Sequence, residues 1–148
     1  MSDTQPRNIR LSRSVLERLS ARASRSPSMK ASAIAALMID EGLRMEDHPG
    51  VIFRNGPVGR RAVLVGGPDV WEVIRSVRST RAAESTLDEA EILALVATNT
   101  GLSDRLVQTA VSYWAAWPTE IDERVTQAEV SEAAHLAELQ RTQQLLSS

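Results

Sequence analysis

A short alternating segment near the N-terminus is the feature that most restricts how this chain can fold. In the stretch R-N-I-R-L, the period of two places Ile9 and Leu11 on one face of an extended strand and the polar side chains on the other. A strand this short has no partner within reach in its own chain. Because an isolated strand is unstable in water, the segment predicts pairing with a second chain.

Two helices are predicted directly after this strand. Ser12 or Ser14 can cap the first, residues 24–28 break the pattern, and a second helix is expected from about Met29 to Met45 with Ser28 as its N-cap. Each helix carries an apolar stripe, formed by Val15, Leu16, Leu19 and Ala23 and by Ile34, Leu37, Met38 and Leu43. So few residues cannot bury these stripes alone. We therefore expect two chains to form an intermolecular two-stranded ribbon over an interlocked four-helix core.

Residues 7–45 resemble the ribbon-helix-helix fold of the Arc, MetJ and CopG repressors, with N-I-R-L-S-R-S-V-L-E-R-L as ribbon and first helix. In that family the ribbon enters the major groove of DNA and its outward side chains contact base edges. The resemblance implies base contacts by Asn8 and Arg10, because Asn suits adenine and Arg suits guanine. It places Arg7 and Ser12 at the margin. It also implies a phosphate at the start of the second helix, at Ser28, Met29 and Lys30.

The charge of the chain is distributed unevenly. The net charge is −2, which taken alone argues against a nucleic-acid partner. Residues 1–30, however, hold seven basic and two acidic side chains (net +5), and residues 82–148 hold three basic and eleven acidic ones (net −8). A basic front and an acidic back indicate two different partners. The alternative for the N-terminal arginines is that they are solvated surface charges without a partner.

The residues after 47 predict a second, mixed unit. Two short strands, Val51–Phe53 and Ala62–Val65, flank the turn sequence Asn55–Gly59 and indicate a β-hairpin. Four helices are then expected, beginning at Asp69 as cap, at Leu87 or Asp88, at Ser103 as cap, and at Thr119 or Glu120. The last would be roughly 40 Å long if it continued to about Leu146. The turn at Asn99–Gly101 gives two of these helices the outline of a helix-turn-helix.

Two stretches of this unit resemble the DUF433-type antitoxin domain. They read H-P-G-V-I-F-R-N-G-P-V-G-R-R-A-V-L-V-G-G-P-D-V-W-E-V and L-S-D-R-L-V-Q-T-A-V-S-Y-W-A-A-W-P-T-E-I-D. Together with the ribbon-helix-helix stretch, the resemblances cover residues 7 to about 125. They imply a VapB-like antitoxin of a type II toxin–antitoxin system. Such a protein is cytoplasmic, binds a PIN-like ribonuclease toxin and represses its own operon.

Two interpretations of the helix-turn-helix outline stay open. Its second helix offers for DNA contact the side chains of Asp104, Arg105, Gln108 and Thr109. The net charge of −8 over residues 82–148 opposes this, because phosphates repel an acidic surface, and favours a packing or dimerising role. A core or dimer-interface position, with ligand binding as the alternative, is expected for the aromatic side chains of Trp71, Tyr113, Trp114 and Trp117.

The acidic segment from Glu120 to Ser148 is expected to contact a partner. Its apolar stripe is too sparse for a good coiled coil, which favours a partly ordered helix that completes on binding a basic protein. The antitoxin resemblance implies that such a segment covers the metal site of a PIN nuclease, often with an inserted arginine. The candidates for that toxin contact are Arg124 and Arg141.

The sequence thus predicts a mainly α protein in three parts. They are a ribbon-helix-helix DNA-binding and dimerisation domain (1–47), a hairpin plus helix-turn-helix-like domain (48–125) and an acidic C-terminal helix or tail (126–148). The chain has no Cys and two His, and no P-loop or dinucleotide motif, so we expect no catalytic site, metal site or cofactor. No signal peptide or membrane span is expected either.

Three functions remain open at this stage. The first is a homodimeric antitoxin that binds operator DNA and a PIN-like ribonuclease toxin. The second is a stand-alone ribbon-helix-helix transcriptional regulator whose C-terminal domain oligomerises or senses a small ligand. The third is an assembly protein that never contacts DNA.

Overall fold

The computed structural model describes residues 3–147 and confirms the mainly helical class. These residues form six helices and one two-stranded antiparallel sheet. In chain order the elements are α1 (Arg13–Ser24), α2 (Ala31–Asp47), β1 (Val51–Gly56), β2 (Gly59–Leu64), α3 (Val70–Ala83), α4 (Glu89–Thr100), α5 (Asp104–Ala116) and α6 (Pro118–Leu146). The chain divides into two compact units, Met1–Arg44 and Met45–Ser148.

Helix α1 begins at the first of the two serines that could cap it. The backbone N–H of Val15 donates a hydrogen bond to Ser12 Oγ over 3.3 Å, so Ser12 rather than Ser14 is the N-cap. The helix ends at Ser24, where the sequence pattern predicts a break.

The second helix begins two residues later than the sequence pattern predicts. Met29 is not helical, because its N–H donates to the carbonyl of Ser26 over 3.0 Å in the preceding turn. Helix α2 begins at Ala31, and the carbonyl of Lys30 accepts the first helical hydrogen bond. Ser28 therefore lies inside the turn, and the prediction that it caps the second helix is wrong.

The predicted N-terminal strand is not formed in the single chain. Residues 3–12 belong to neither a helix nor a strand, and the sheet of the described chain follows α2 instead. The physical reason is that a strand is stable only beside another strand that pairs with its backbone N–H and C=O groups, and among residues 3–147 no strand lies beside this segment. The structure of the single chain therefore does not support the predicted ribbon-helix-helix arrangement.

The apolar stripes of the N-terminal helices also remain largely open. Helix α1 buries no residue, and among the four stripe residues of α2 only Ile34 is buried. Met38 and Leu43 are exposed. In the single chain the two short helices therefore do not cover each other's apolar sides, and burial of both stripes between two chains stays a prediction.

The second unit begins with the predicted hairpin, whose strands are longer than predicted. The pairing continues to Gly56 and Gly59, which leaves only Pro57 and Val58 in the turn. Gly59 has a φ of 103°, a conformation that residues with side chains rarely adopt. The glycine thus permits the tight two-residue connection.

Helices α4 and α5 of the second unit begin at caps that the sequence identifies, whereas α6 begins at Pro118, just before the predicted Thr119 or Glu120. Asp88 forms a capping box on α4, in which the Glu91 N–H donates to Asp88 Oδ1 over 2.8 Å. Ser103 caps α5 by accepting a hydrogen bond from the Leu106 N–H over 3.2 Å. Between these helices Gly101 turns the chain with a φ of 71°.

Helix α6 is the longest element and reaches beyond the core. It has 29 residues from Pro118 to Leu146 and is about 44 Å long. Its first turns pack into the core of the second unit through Ile121 and Val125, whereas every residue from 129 to 147 is exposed. The hairpin and helices α3 to α5 supply the rest of this core, with the fully buried residues Val51, Leu64, Val70, Val73, Ile74, Val96, Val107 and Tyr113.

Candidate nucleic-acid interface

The N-terminal segment presents the polar side chains that the sequence predicts for DNA contact. All four predicted side chains are exposed, namely Arg7, Asn8, Arg10 and Ser12. They alternate with two exposed apolar residues, Ile9 (59% exposed) and Leu11 (39%). In an extended segment, residues two apart lie on one side at a spacing of about 7 Å. Asn8 and Arg10 can therefore face one surface while Ile9 and Leu11 face the opposite one.

Basic side chains are concentrated in the same unit. Residues 1–30 have a net charge of +5. Within the described part of this range, none of the basic side chains forms an ion pair with a carboxylate, and each is solvated and accessible to a phosphate. They are Arg7, Arg10, Arg13, Arg18, Arg22, Arg25 and Lys30.

Two of the predicted DNA contacts have additional structural constraints. The Oγ of Ser12 already accepts the capping hydrogen bond of α1, which leaves its O–H as the group that could contact DNA. Ser28, Met29 and Lys30 are exposed in the turn before α2. Because the helix begins at Ala31, a phosphate there would face the first amides of α2 and the side chain of Lys30.

An unusual amount of large apolar surface is exposed in the first unit. Leu43 is 61% exposed, more than Ile9. The other large apolar side chains exposed in this unit are Leu11, Val15, Leu16, Met29, Met38 and Ile39. So many exposed apolar residues beside a basic segment indicate a surface that another molecule covers.

The second helix of the helix-turn-helix outline contributes mainly to packing. Helix α5 buries Val107, Ala110 and Tyr113 in the core of the second unit. Of its four DNA-contact candidates, the three that are exposed are Asp104, Arg105 and Gln108. The fourth, Thr109, is half-buried, and its hydroxyl donates to the Arg105 carbonyl over 2.9 Å.

The two arginines predicted for toxin contact lie in different surroundings. Arg124 is half-buried at the foot of α6, where its Nη2 donates to the carbonyl of Arg60 in the hairpin over 2.7 Å. Arg141 is exposed near the end of α6. Arg124 therefore contacts its own unit, and of the two arginines only Arg141 lies in the exposed half of α6 (residues 129–147).

Ion pairs attach α6 to α3. Arg75 Nη1 donates to Glu132 Oε1 over 2.6 Å, and Arg78 pairs with Asp122. The hydrogen bond from Arg75 holds the pKa of the Glu132 carboxyl below its ordinary value, and the same contact raises the pKa of Arg75. Glu132 is thus the last residue along α6 for which an ion pair with α3 is described.

The aromatic side chains lie in or against the core, as the packing interpretation predicts. Tyr113 is fully buried and its hydroxyl donates to Glu120 Oε2 over 2.6 Å. The indole of Trp114 donates to Asp122 over 2.8 Å and lies under the guanidinium of Arg78, whose central carbon is 5.4 Å from the ring centroid. Trp71 and Trp117 pack against the same core with part of their surface exposed.

A polar cluster beside the hairpin was not identifiable from the sequence. Asp69, only 7% exposed, accepts hydrogen bonds from the Arg61 guanidinium (3.3 Å) and from the Trp71 indole (3.1 Å). The sequence indicates Asp69 only as a helix cap. Its contacts depend on the chain between β2 and α3 folding back beside β2, where Val63 bridges to Asp69.

Other classes of site are not found among the described residues. Residues 3–147 contain no group of three or more His, Asp or Glu side chains arranged to hold a metal ion. No helix within this range combines the length and apolar character that crossing a membrane requires. Comparison with protein-family models, curated proteins and solved structures gave no match.

Proposed function

We propose that this chain is the antitoxin of a type II toxin–antitoxin pair, which binds operator DNA as a homodimer through its first unit. The observation that carries the proposal is that no residue of α1 is buried, and that the segment before it, in which Asn8 and Arg10 alternate with Ile9 and Leu11, is exposed and belongs to neither a helix nor a strand. Apolar and polar side chains that alternate along one exposed segment suit a strand that is covered on one side and bound to a ligand on the other.

A second copy of the chain is the partner that satisfies both features. Two segments paired antiparallel would satisfy each other's backbone groups, and the ribbon would place Ile9 and Leu11 over the exposed stripes of the four helices. This is the ribbon-helix-helix arrangement, formed between chains. Asn8 and Arg10 would then lie on the outer face of the ribbon, where they can contact base edges in the major groove.

The charge distribution supports DNA as the ligand of that face. Seven unpaired basic side chains in residues 1–30 provide the phosphate contacts on which affinity for DNA depends. Lys30 and the first amides of α2 suit one such phosphate. Repression would result from occupancy of the promoter, and a toxin that bridges neighbouring dimers would strengthen it.

The exposed half of α6 suits the second partner, a PIN-like ribonuclease toxin. Residues 129–147 are entirely exposed, and helices of this length are rarely stable without packing against something. Truncation before residue 133 tests this assignment, because it removes the exposed part and keeps the Arg75–Glu132 pair. We expect the truncated protein to retain DNA binding and to lose toxin neutralisation. Neutralisation that survives truncation would contradict the assignment.

The alternative is a stand-alone regulator whose second unit binds a small ligand. It is favoured by the cleft beside Asp69 and Trp71, described below. The neighbouring gene distinguishes the two functions, since an adjacent ribonuclease-like reading frame supports the antitoxin. A third possibility is an assembly protein that never contacts DNA.

Fluorescence anisotropy on the promoter upstream of this gene tests the DNA-binding proposal. Wild-type protein should bind this duplex more tightly than a scrambled one, with affinity that falls steeply as salt is raised. Asn8→Ala with Arg10→Ala should remove the preference, at a cost of about 1–3 kcal/mol for each bidentate contact. Arg141→Ala serves as the control, because it removes one exposed charge from α6. Equal loss in both variants would contradict the proposed contacts.

A further inference from the structure

A cleft in the second unit lies between the hairpin turn, the start of α3 and the side of α6. Its volume is about 220 Å³. The groups that line it and matter for its chemistry are Arg61, Asp69, Trp71 and Arg124, with Gln127 and Ser131 at the α6 side. For comparison, an apolar cavity of about 150 Å³ is enough to hold benzene. The cleft therefore has room for a ligand of one ring and one polar group.

Arg61, one of the residues that line the cleft, has a donor without an acceptor. Arg61 Nη1 contacts Asp69 Oδ2 over 3.3 Å, but the buried Arg61 Nε has no hydrogen-bond partner among the described residues. Such a buried N–H is normally paired, because leaving it unpaired is costly. The Asp69 Oδ2 that contacts Arg61 Nη1 also accepts a hydrogen bond from the Trp71 indole over 3.1 Å, so two donors share this one oxygen.

A second guanidinium, that of Arg124, also lines the cleft. Its one hydrogen bond in the described chain runs from Nη2 to the carbonyl of Arg60 over 2.7 Å, and it forms no ion pair with a carboxylate. The backbone contact fixes the guanidinium in place without neutralising it. A positioned, half-buried cation of this kind is a strong donor for an anion.

The charges of the cleft do not balance. Two guanidinium groups, Arg61 and Arg124, face one carboxylate, Asp69. Asp69 is paired with Arg61, so the positive charge of Arg124 is the one left uncompensated. Trp71, which is half-buried, contributes aromatic surface to the same cleft. An anionic group on a planar ring matches both features, because a ring stacks on indole and the anion pairs with Arg.

We propose that this cleft binds a small planar organic anion, a carboxylate or a phosphate ester on an aromatic ring. Arg124 is the main donor to the anionic group, Arg61 is the second, and Trp71 packs against the ring. The proposal does not depend on DNA or toxin binding by the first unit or by the exposed half of α6. A ligand here would contact both the hairpin and α6, and so would tie the start of the exposed helix to the rest of the second unit.

Titration of the full chain, followed through the indole N–H signals in ¹H–¹⁵N spectra, tests the proposal. The Trp71 signal is assigned by its absence in Trp71→Phe. Benzoate and phenyl phosphate are the two probes, inorganic phosphate lacks the ring, and benzyl alcohol lacks the charge, all at constant ionic strength. We expect benzoate or phenyl phosphate to shift the Trp71 signal saturably, with a dissociation constant of about 1 mM for ligands of this size. The better of the two identifies the anionic group.

Variants of α6 provide the matched controls. Arg124→Gln should weaken the better probe about tenfold, Arg124→Lys should weaken it less, and Arg141→Gln on the same helix should leave it unchanged. Wild-type titration stands on its own if Arg124→Gln fails to fold. No saturable shift with either ring probe would overturn the proposal. Binding of benzyl alcohol as tight as that of benzoate, or binding unaffected in a folded Arg124→Gln, would do so as well.

Discussion

Replacement of Tyr113 by Phe tests the contact that joins α5 to α6. The Tyr113 side chain is 0% exposed and its hydroxyl donates to Glu120 Oε2 over 2.6 Å, across the break at Pro118. The phenyl ring of Phe keeps the packing, so the variant removes one hydrogen bond to a charged acceptor. Such a bond contributes about 1.5–3 kcal/mol. We therefore expect a loss of about 2 kcal/mol in the free energy of unfolding.

Urea unfolding followed by far-UV circular dichroism measures this loss. For a unit of about 100 residues, 2 kcal/mol corresponds to a decrease in Tm of about 10 °C. The control is a double-mutant cycle with Glu120→Gln, in which the second substitution should add little once the first is present. A loss below about 0.5 kcal/mol, or fully additive effects, would refute the view that this bond holds α6 to α5.

Three further predictions concern the core, the dimer and the ion pair on α6. Leu64→Ala, at a side chain with 0% exposure, should cost about 3 kcal/mol in the free energy of unfolding, measured by urea denaturation; a cost under 1 kcal/mol would contradict its central position. In sedimentation velocity we expect a dimer for the wild-type chain and for Thr98→Asp, on exposed α4 surface, and a monomer for Ile9→Asp. Glu132 has a lowered pKa in the folded chain, so the stability it provides is present above its ordinary pKa of 4.5 and is lost as the pH falls through the lower folded value. The carboxyl ¹³C signal of Glu132 should therefore titrate at a lower pH in the wild-type chain than in Arg75→Gln, and equal titration in both would contradict this.

Local chemistry in the sequence predicts the helix and hairpin elements well. The caps at Ser12, Asp88 and Ser103 form because a hydroxyl or carboxylate satisfies nearby amides, which depends only on neighbouring residues. The hairpin likewise follows from glycines beside a two-residue turn. The start of α2 was misplaced because a turn hydrogen bond to the Met29 amide competes with the helix.

Contacts between segments that are distant along the chain could not be predicted from the sequence. Arg124 is 64 positions from the Arg60 carbonyl that it contacts, and no periodicity records such a pairing. The same contact holds Arg124 in place at the cleft, so the excess of positive charge there depends on it. The N-terminal segment is a different case. Its alternating residues predict a strand, but the strand that would pair with it is not part of the same chain.

Disulfide cross-linking of the N-terminal segment tests most directly whether two chains pair there. The chain has no Cys, so a single substitution supplies the only thiol. In an antiparallel ribbon centred on this segment, residues directly opposite have Cα atoms about 4.5–5.5 Å apart, within reach of a disulfide. Among cysteines placed singly at positions 8 to 11, we predict that at least one gives rapid, nearly complete covalent dimer that still binds promoter DNA. Thr98→Cys should not do so. Cross-linking no faster at positions 8 to 11 than at position 98 would contradict the paired ribbon on which the proposed function rests.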